Sequence, residues 1–303
     1  NLNIFEKLYT LSQGEEIISV PKTTGITIIE LSNSFSKLKP DAVVTIADRY
    51  ETLATSIAAS YQNIPLIHLQ GGEITGNIDE KVRHANSKLS DLHLVSNESA
   101  KEVLLRMGEI EKSIFVTGCP SIDLAKKVTQ VAIDSFKPFE KYGGVGRKID
   151  INKKFIVVLQ HPHTPEYRIA GKQIIETLNA LLEINLPVIW FWPNVDIGTD
   201  SISKQLRSFR ENNPDNNFHF FKNFESEDFL KLLIKSSCIV GNSSVAIREC
   251  AFLGVPAVDI GDRQKNRTKG SNVISVRNSK KEIIKAIRKQ LIVNKYPSEN
   301  IYG

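Results

Sequence analysis

Residues 238–250 read CIVGNSSVAIREC, and this stretch decides the architecture. Cys238 to Val240 form an apolar run of the kind that a strand covered on both faces needs. Gly241-Asn242-Ser243-Ser244 then makes a turn, and the residues after it, with Glu249 among them, read as a helix. A buried strand that runs through a serine-rich turn into a helix is one βα unit of a parallel sheet. Glycine, two hydroxyls and a helix start also offer backbone N–H groups to an anion, and a diphosphate fits there. A double serine N-cap would look the same, so the motif by itself leaves both readings open.

The pattern repeats outward in both directions. FIVVLQ from Phe155, PVIWFW from Pro187, FHFF from Phe218, PAVDI from Pro256 and NVISV from Asn272 alternate with helical stretches. Nearer the start, AVVTI from Ala42, PLIHL from Pro65, LHLV from Leu92 and IFVTG from Ile114 form an earlier series that reads as buried parallel strands. Between the two series lies FKPFEKYGGVGRKIDINKK, read as a linker or surface excursion. Its glycines Gly143, Gly144 and Gly146 neither follow a strand nor complete a dinucleotide-binding spacing. The boundary is expected near Asp150, giving domains 1–150 and 151–303, each a doubly wound Rossmann-like α/β unit. A chain of 303 residues suits two such domains.

Composition narrows the function classes. Hydrophobic residues make up 41% and charged residues 24%, no window has the apolar length of a membrane span, and the first ten residues carry no leader pattern. A cytoplasmic protein with no membrane partner is expected. Net charge is only +5, and Lys280 and Lys281 fall in a helical tail with solvent-facing spacing, so no nucleic acid is expected. Cys119, Cys238 and Cys250 are odd in number and widely spaced, which fits reduced core residues. His161 and His163 lack companion ligands, so no metal is expected, and no cofactor.

Polar residues collect where strands end, the position at which ligands bind in open α/β sheets. Asp48 and Arg49 follow AVVTI. Gln70, Glu73 and three glycines follow PLIHL, where Asn77 with Glu80 resembles a capping box. The helix opened there carries Asp79, Arg83 and Ser87 on one face and Glu80, His84 and Lys88 on the next. His161 follows FIVVLQ, and Asp262-Arg263-Gln264 follow PAVDI, where Arg263 could neutralise phosphate oxygen.

Taken in order, ADRYE, GGEITGNIDEKVRHA, TGCPSID, LQHP, FWPNVD, GNSSVAIREC and GDRQKNR resemble the UDP-hydrolysing UDP-N-acetylglucosamine 2-epimerases of sialic and legionaminic acid-type pathways. The resemblance implies a GT-B architecture, two Rossmann-like domains facing across a cleft, with the first β-α unit of the N-terminal domain missing from this chain. It implies that Asp48, Glu73, Asp79 and His161 are catalytic, and that Arg49, Gln70, Arg83, His84 and Asn194 line the sugar side. Ser243 and Ser244 would hold the diphosphate, Glu249 a ribose hydroxyl, and Arg263 the nucleotide or its phosphate, with the uracil pocket near Phe221 to Phe224. Many relatives have glutamate where this chain has Gln70, which cannot exchange a proton, so the C2 base is sought among Glu73, Asp79 and Asp48. His161 is expected to assist water or the departing phosphate through a charge change near neutrality. The implied partners are a UDP-sugar substrate and further copies of the chain in a homodimer or homotetramer. A GT-B glycosyltransferase, a non-hydrolysing epimerase and an inactive nucleotide-sugar binding module are the alternatives.

Overall fold

The computed structural model describes residues 3–12, 17–46, 48–76, 78–131, 136–194 and 196–303. The capping-box reading of Asn77 lies outside the described residues. The chain divides into two compact units, Asn1–Cys119 with Gly303, and Pro120–Tyr302.

In the first unit α1 (Ser19–Leu38) is followed by β1 (Val43–Ile46), α2 (Tyr50–Tyr61), β2 (Leu66–Leu69), α3 (Ile78–Leu89), β3 (Leu92–Val95), α4 (Glu98–Arg106) and β4 (Ile114–Val116). The strands are parallel and lie in the order β1-β2-β3-β4. Right-handed crossovers that always step the same way put their helices on one face of the sheet. This corrects the reading of fully buried strands. Val43, Leu66, Val95 and Ile114 face the helices and are buried, whereas Val44, Ile46 and Phe115 on the opposite face are exposed.

The second unit contains α5 (Pro120–Thr129), α6 (Pro138–Tyr142), β5 (Val145–Gly146), β6 (Ile156–Leu159), α7 (Ala170–Ile184), β7 (Val188–Phe191), α8 (Thr199–Asn212), β8 (Phe218–Phe221) and α9 (Ser226–Lys235). It continues with β9 (Cys238–Gly241), α10 (Glu249–Leu253), β10 (Ala257–Ile260), β11 (Val273–Val276) and α11 (Lys280–Val293). The sheet order β11-β10-β9-β6-β7-β8-β5 reverses direction between β6 and β9, so helices cover both faces. Accordingly β7, β8, β9 and β10 are buried at every position. One face packs Trp190, Ile174, Leu181 and Ile287 together, and the other packs Phe155, Val157, Phe221 and Leu232.

The division falls at Cys119, well ahead of Asp150. Ala125 and Val128 of α5, with Ile149 and Ile151, are buried in the second core, so this stretch is not a linker. The glycine cluster has a structural cause there. Val145 and Gly146 pair antiparallel with Phe220 and His219 as an edge strand. Gly144 has φ +84, and a Cβ on it would meet His219 Nε2 at 2.4 Å and the Phe220 carbonyl at 2.7 Å. Tyr142 stacks on Phe224 with ring centroids 3.9 Å apart, and its hydroxyl donates to Asp228 at 2.8 Å.

The reversal point brings the ends of β6 and β9 together. Gly241 has φ +144, and a Cβ on it would lie 2.1 Å from the Leu159 carbonyl oxygen. Replacing Gly241 by alanine forces both a strained backbone and a displaced β6 end, so it destabilises the chain by at least about 1–3 kcal/mol. Chemical denaturation of the variant checks this, and an unchanged midpoint would contradict the close approach of the two strands.

Candidate active site

The second unit's site is built on Asn242, the first residue beyond β9. Its N–H donates to the Leu159 carbonyl at 3.2 Å. Its side chain exchanges two bonds with the His161 backbone, the His161 N–H to Asn242 Oδ1 at 2.8 Å and Asn242 Nδ2 to the His161 carbonyl at 2.8 Å. Its own carbonyl accepts from Arg263 Nη1 at 3.2 Å and from Gln264 Nε2 at 3.1 Å. One asparagine therefore ties together the ends of β6, β9 and β10.

His161 is buried, and Nδ1 accepts the Asn194 backbone N–H at 3.2 Å. Burial first, and the Arg263 charge second, push its pKa from 6.5 down to about 3. The imidazole is therefore neutral at physiological pH, which corrects the expectation of a charge change near neutrality. With Nδ1 accepting, the ring proton is on Nε2, and His161 offers a fixed N–H donor. Asn194 enters through its backbone, while its side chain is exposed.

The turn after β9 also differs from the reading of a regular helix start. Ser244–Ala246 is a single 3₁₀ turn and α10 spans only Glu249–Leu253, so the macrodipole is small. What the turn offers is side chains. Ser243 Oγ accepts the Val245 N–H at 3.4 Å, and Ser244 Oγ accepts from Arg248 Nη2 at 3.1 Å. Glu249 is buried, and its Oε2 has no hydrogen-bond partner among the described residues. An orphaned buried carboxylate oxygen is costly unless a ligand donor reaches it. Tyr142 stacks on one face of Phe224.

The first unit places Asp48 beyond β1 and the Gln70–Gly76 loop beyond β2. Arg83 of α3 is 1% exposed, and its guanidinium donates to Asp48 and to the Glu73 carbonyl, drawing three predicted residues into one cluster. Glu73 is buried and Oε1 accepts from Ser96 Oγ at 3.2 Å. Gln70 sits in the left-handed region at φ +61 and donates from Nε2 to Cys119 Sγ at 3.0 Å. Glu80 Oε2 takes the Thr75 and Gly76 N–H groups, each at 2.6 Å, and so pins the glycine loop to α3. Asp79 is half-buried in the first turn of α3. His84, one turn on, has its pKa lowered by burial, with Glu80 opposing and Arg83 adding to the shift. Arg49, at the start of α2, turns to a neighbour on its own helix. It is exposed and makes a bidentate pair with Glu51 at 2.9 and 3.0 Å.

Asn242, Gln264, Arg248, Ser96 and Cys119 were not singled out from sequence. The signals for them were slight: Arg248 lies one helical turn after Ser244, and Gln264 directly follows Arg263.

A family model described as UDP-N-acetylglucosamine 2-epimerase matches residues 1–303. The UDP-N,N'-diacetylbacillosamine 2-epimerase (hydrolyzing) of Legionella pneumophila is 35% identical over 285 residues, covering 94% of this chain and 73% of its own. The UDP-N-acetylglucosamine 2-epimerase of Neisseria meningitidis is 32% identical over 296 residues, covering 96% and 73%. The crystal structure of UDP-GlcNAc 2-epimerase from Neisseria meningitidis bound to UDP-GlcNAc aligns over 97% of this chain and 80% of that one, with a TM-score of 0.74 at 24% identity, so the α/β fold with parallel sheets is shared. The chain belongs to the UDP-N-acetylglucosamine 2-epimerase family.

The neutral state of His161 has two measurable consequences. Its ¹⁵N signals should stay those of the Nε2–H tautomer between about pH 5 and 8. Between about 3 and 6.5 the unfolded chain binds a proton that the folded chain refuses. This contribution to stability is therefore complete above pH 6.5 and is lost as pH falls, by up to about 1.4 kcal/mol per pH unit. His161→Gln should flatten that slope in urea titrations at successive pH values, and an equally steep slope would contradict the assignment.

Proposed function

We propose that this member of the UDP-N-acetylglucosamine 2-epimerase family is a hydrolysing enzyme. It expels UDP from a UDP-N-acetylglucosamine-type sugar, inverts C2 and releases a free N-acetylmannosamine-type sugar, a precursor for sialic acid-like sugars. The observation that carries the nucleotide reading is Glu249, whose buried Oε2 has no donor among the described residues, a few residues beyond the Ser243-Ser244 turn. A ribose hydroxyl supplies such a donor. The hydrolysing outcome is supported by the 35% identity to a relative named as hydrolyzing.

The chemistry follows from the substrate. The C2 proton is not beside a carbonyl, so it becomes acidic only as the C1–O bond to UDP breaks and positive character builds on the ring. Leaving-group stabilisation must therefore come early. The second unit supplies it through the Ser243 and Ser244 hydroxyls, Arg263 and the fixed Nε2–H of His161, donors already in place as charge collects on the diphosphate. A carboxylate of the first unit takes the C2 proton, and the electron pair of that C–H bond forms the C1–C2 double bond of a 2-acetamidoglucal. Water then adds its hydroxyl to C1 and a proton returns to C2 on the opposite face.

Among the three candidate bases, Asp48 is paired with the buried Arg83, and Glu73 is held by Ser96. Asp79 is half-buried in the first turn of α3, at a position where the family resemblance implies a catalytic acid, and we assign the proton transfer to it. His161 steadies the departing phosphate rather than exchanging a proton. The enzyme works in the cytoplasm as a homo-oligomer.

Incubating the chain with UDP-N-acetylglucosamine alone, with no acceptor, should yield UDP and free N-acetylmannosamine by ¹H NMR. A UDP-linked epimer would make the enzyme non-hydrolysing, and tight UDP binding without turnover would make it a binding module. A parallel reaction with a UDP-linked 2,4-diacetamido sugar identifies the preferred sugar. Asp79→Asn should lower kcat by about 100-fold to 10,000-fold while UDP affinity holds, and unchanged turnover would remove Asp79 from the mechanism. Glu249→Ala should weaken UDP binding by roughly 10-fold to 100-fold in calorimetry, the value of a hydrogen bond to a charged group.

A further inference from the structure

Each of the two hydroxyls of the turn after β9 already accepts one hydrogen bond from the protein. Ser243 Oγ receives the Val245 N–H at 3.4 Å, and Ser244 Oγ receives Arg248 Nη2 at 3.1 Å. A hydroxyl has one proton to donate. One lone pair of each oxygen is engaged by a protein donor, and toward an oxyanion, which only accepts, the proton is what each serine presents. The two contacts are not equivalent, because the one to Ser244 comes from a guanidinium. A charged donor polarises the hydroxyl and strengthens its own O–H as a donor to a third group. Ser244 and Arg248 are both half-buried, within reach of a ligand at the sheet edge. Arg263 binds the same turn at the Asn242 carbonyl, 3.2 Å away. Two guanidiniums from further along the chain therefore hold the second and fourth residues of Gly241-Asn242-Ser243-Ser244.

We infer that Arg248 is a positioning residue for the leaving group: it turns the Ser244 hydroxyl into a committed donor toward an oxyanion and thereby sets a preference for a nucleoside diphosphate over the bare nucleoside. This rests on the nucleotide-binding reading of the second unit and adds a residue and a selectivity to it. A ligand without phosphate gains nothing from a polarised hydroxyl. A diphosphate gains more as its charge grows during C1–O cleavage, so the contribution extends to kcat.

The test is binding of UDP and of uridine to the whole chain by calorimetry and NMR, for the wild type, Arg248→Met, Arg248→Lys, Ser244→Ala and the Arg248→Met/Ser244→Ala double variant. Arg248→Met should weaken UDP by about 10-fold to 100-fold and leave uridine unchanged. Arg248→Lys, which keeps the charge, should recover part of the loss. In the Ser244→Ala background the same Arg248→Met change should cost much less, because the hydroxyl through which it acts is gone. Equal weakening of UDP and uridine would reduce Arg248 to a structural role and overturn the proposal. Arg248→Met and Ser244→Ala effects that multiply independently would overturn it too, as would UDP affinity unaffected by Arg248→Met. A wild-type chain that binds uridine but gains nothing from the phosphates, or binds neither, fails instead at the nucleotide-diphosphate reading.

Discussion

The reciprocal pair of hydrogen bonds between the Asn242 side chain and the His161 backbone, each 2.8 Å, is the contact on which the second unit's site depends. Parallel strands that neighbour each other at a reversal of sheet order diverge beyond their ends, and the crevice there lacks backbone pairing of its own. Asn242 replaces that pairing with side-chain amide bonds. Because its backbone carbonyl is also the acceptor for Arg263 and Gln264, the position of the third strand's loop follows from the same residue. A buried asparagine with all these partners is satisfied only in one placement, so the site inherits the precision of the sheet.

The first unit reaches its arrangement by a different route. Arg83 is the most buried charged side chain in that unit, and a guanidinium out of water is tolerated only when paired and hydrogen-bonded. Asp48 supplies the charge and the Glu73 carbonyl supplies a further acceptor. The ends of β1 and β2 are thus joined to α3 through one side chain. Removing Asp48 would leave the Arg83 charge uncompensated, so Asp48 holds structure whatever else it does. Glu80 acts similarly on the glycine loop by capping two of its N–H groups.

How much of this was legible in the sequence depends on whether a residue speaks through pattern or through placement. All ten strands read from apolar runs are present, because three or more apolar residues within four or five positions between turns leave few other options. β5 was not legible, since Val145 and Gly146 carry no periodicity and pair only because α6 folds Phe139 and Tyr142 onto the aromatic cluster of Phe221 and Phe224. The division at Cys119 was not legible either, since it follows from α5, Ile149 and Ile151 being buried in the second core. The exposed face of the first sheet was hidden too: Val44 and Ile46 are as apolar as the strands of the second sheet, and only the order of the strands shows that the described helices of this unit pack on the other face. Among site residues, Arg83 and Glu249 were marked by charge on otherwise apolar or helical stretches. Asn242 carries no such mark, because its importance lies in bonds to a strand some eighty residues away.

The chemistry of His161 shows why placement outweighs residue type. A histidine at a strand end suggests acid–base work on the strength of its ordinary pKa, and burial cancels that reading. A buried neutral imidazole is nevertheless well suited to the proposed expulsion of UDP. It gives a donor of fixed direction without the cost of holding a cation out of water. The Asn194 N–H on Nδ1 fixes which nitrogen keeps the proton, as the Val245 N–H and Arg248 fix the lone pairs of the two serines. In each case a protein partner settles the donor's orientation before the ligand arrives. Donors that need not reorient as charge develops stabilise a transition state more than mobile water can. In the proposed reaction the site's contribution to leaving-group departure therefore resides less in its count of positive charges than in the bonds that stop its neutral donors from turning away.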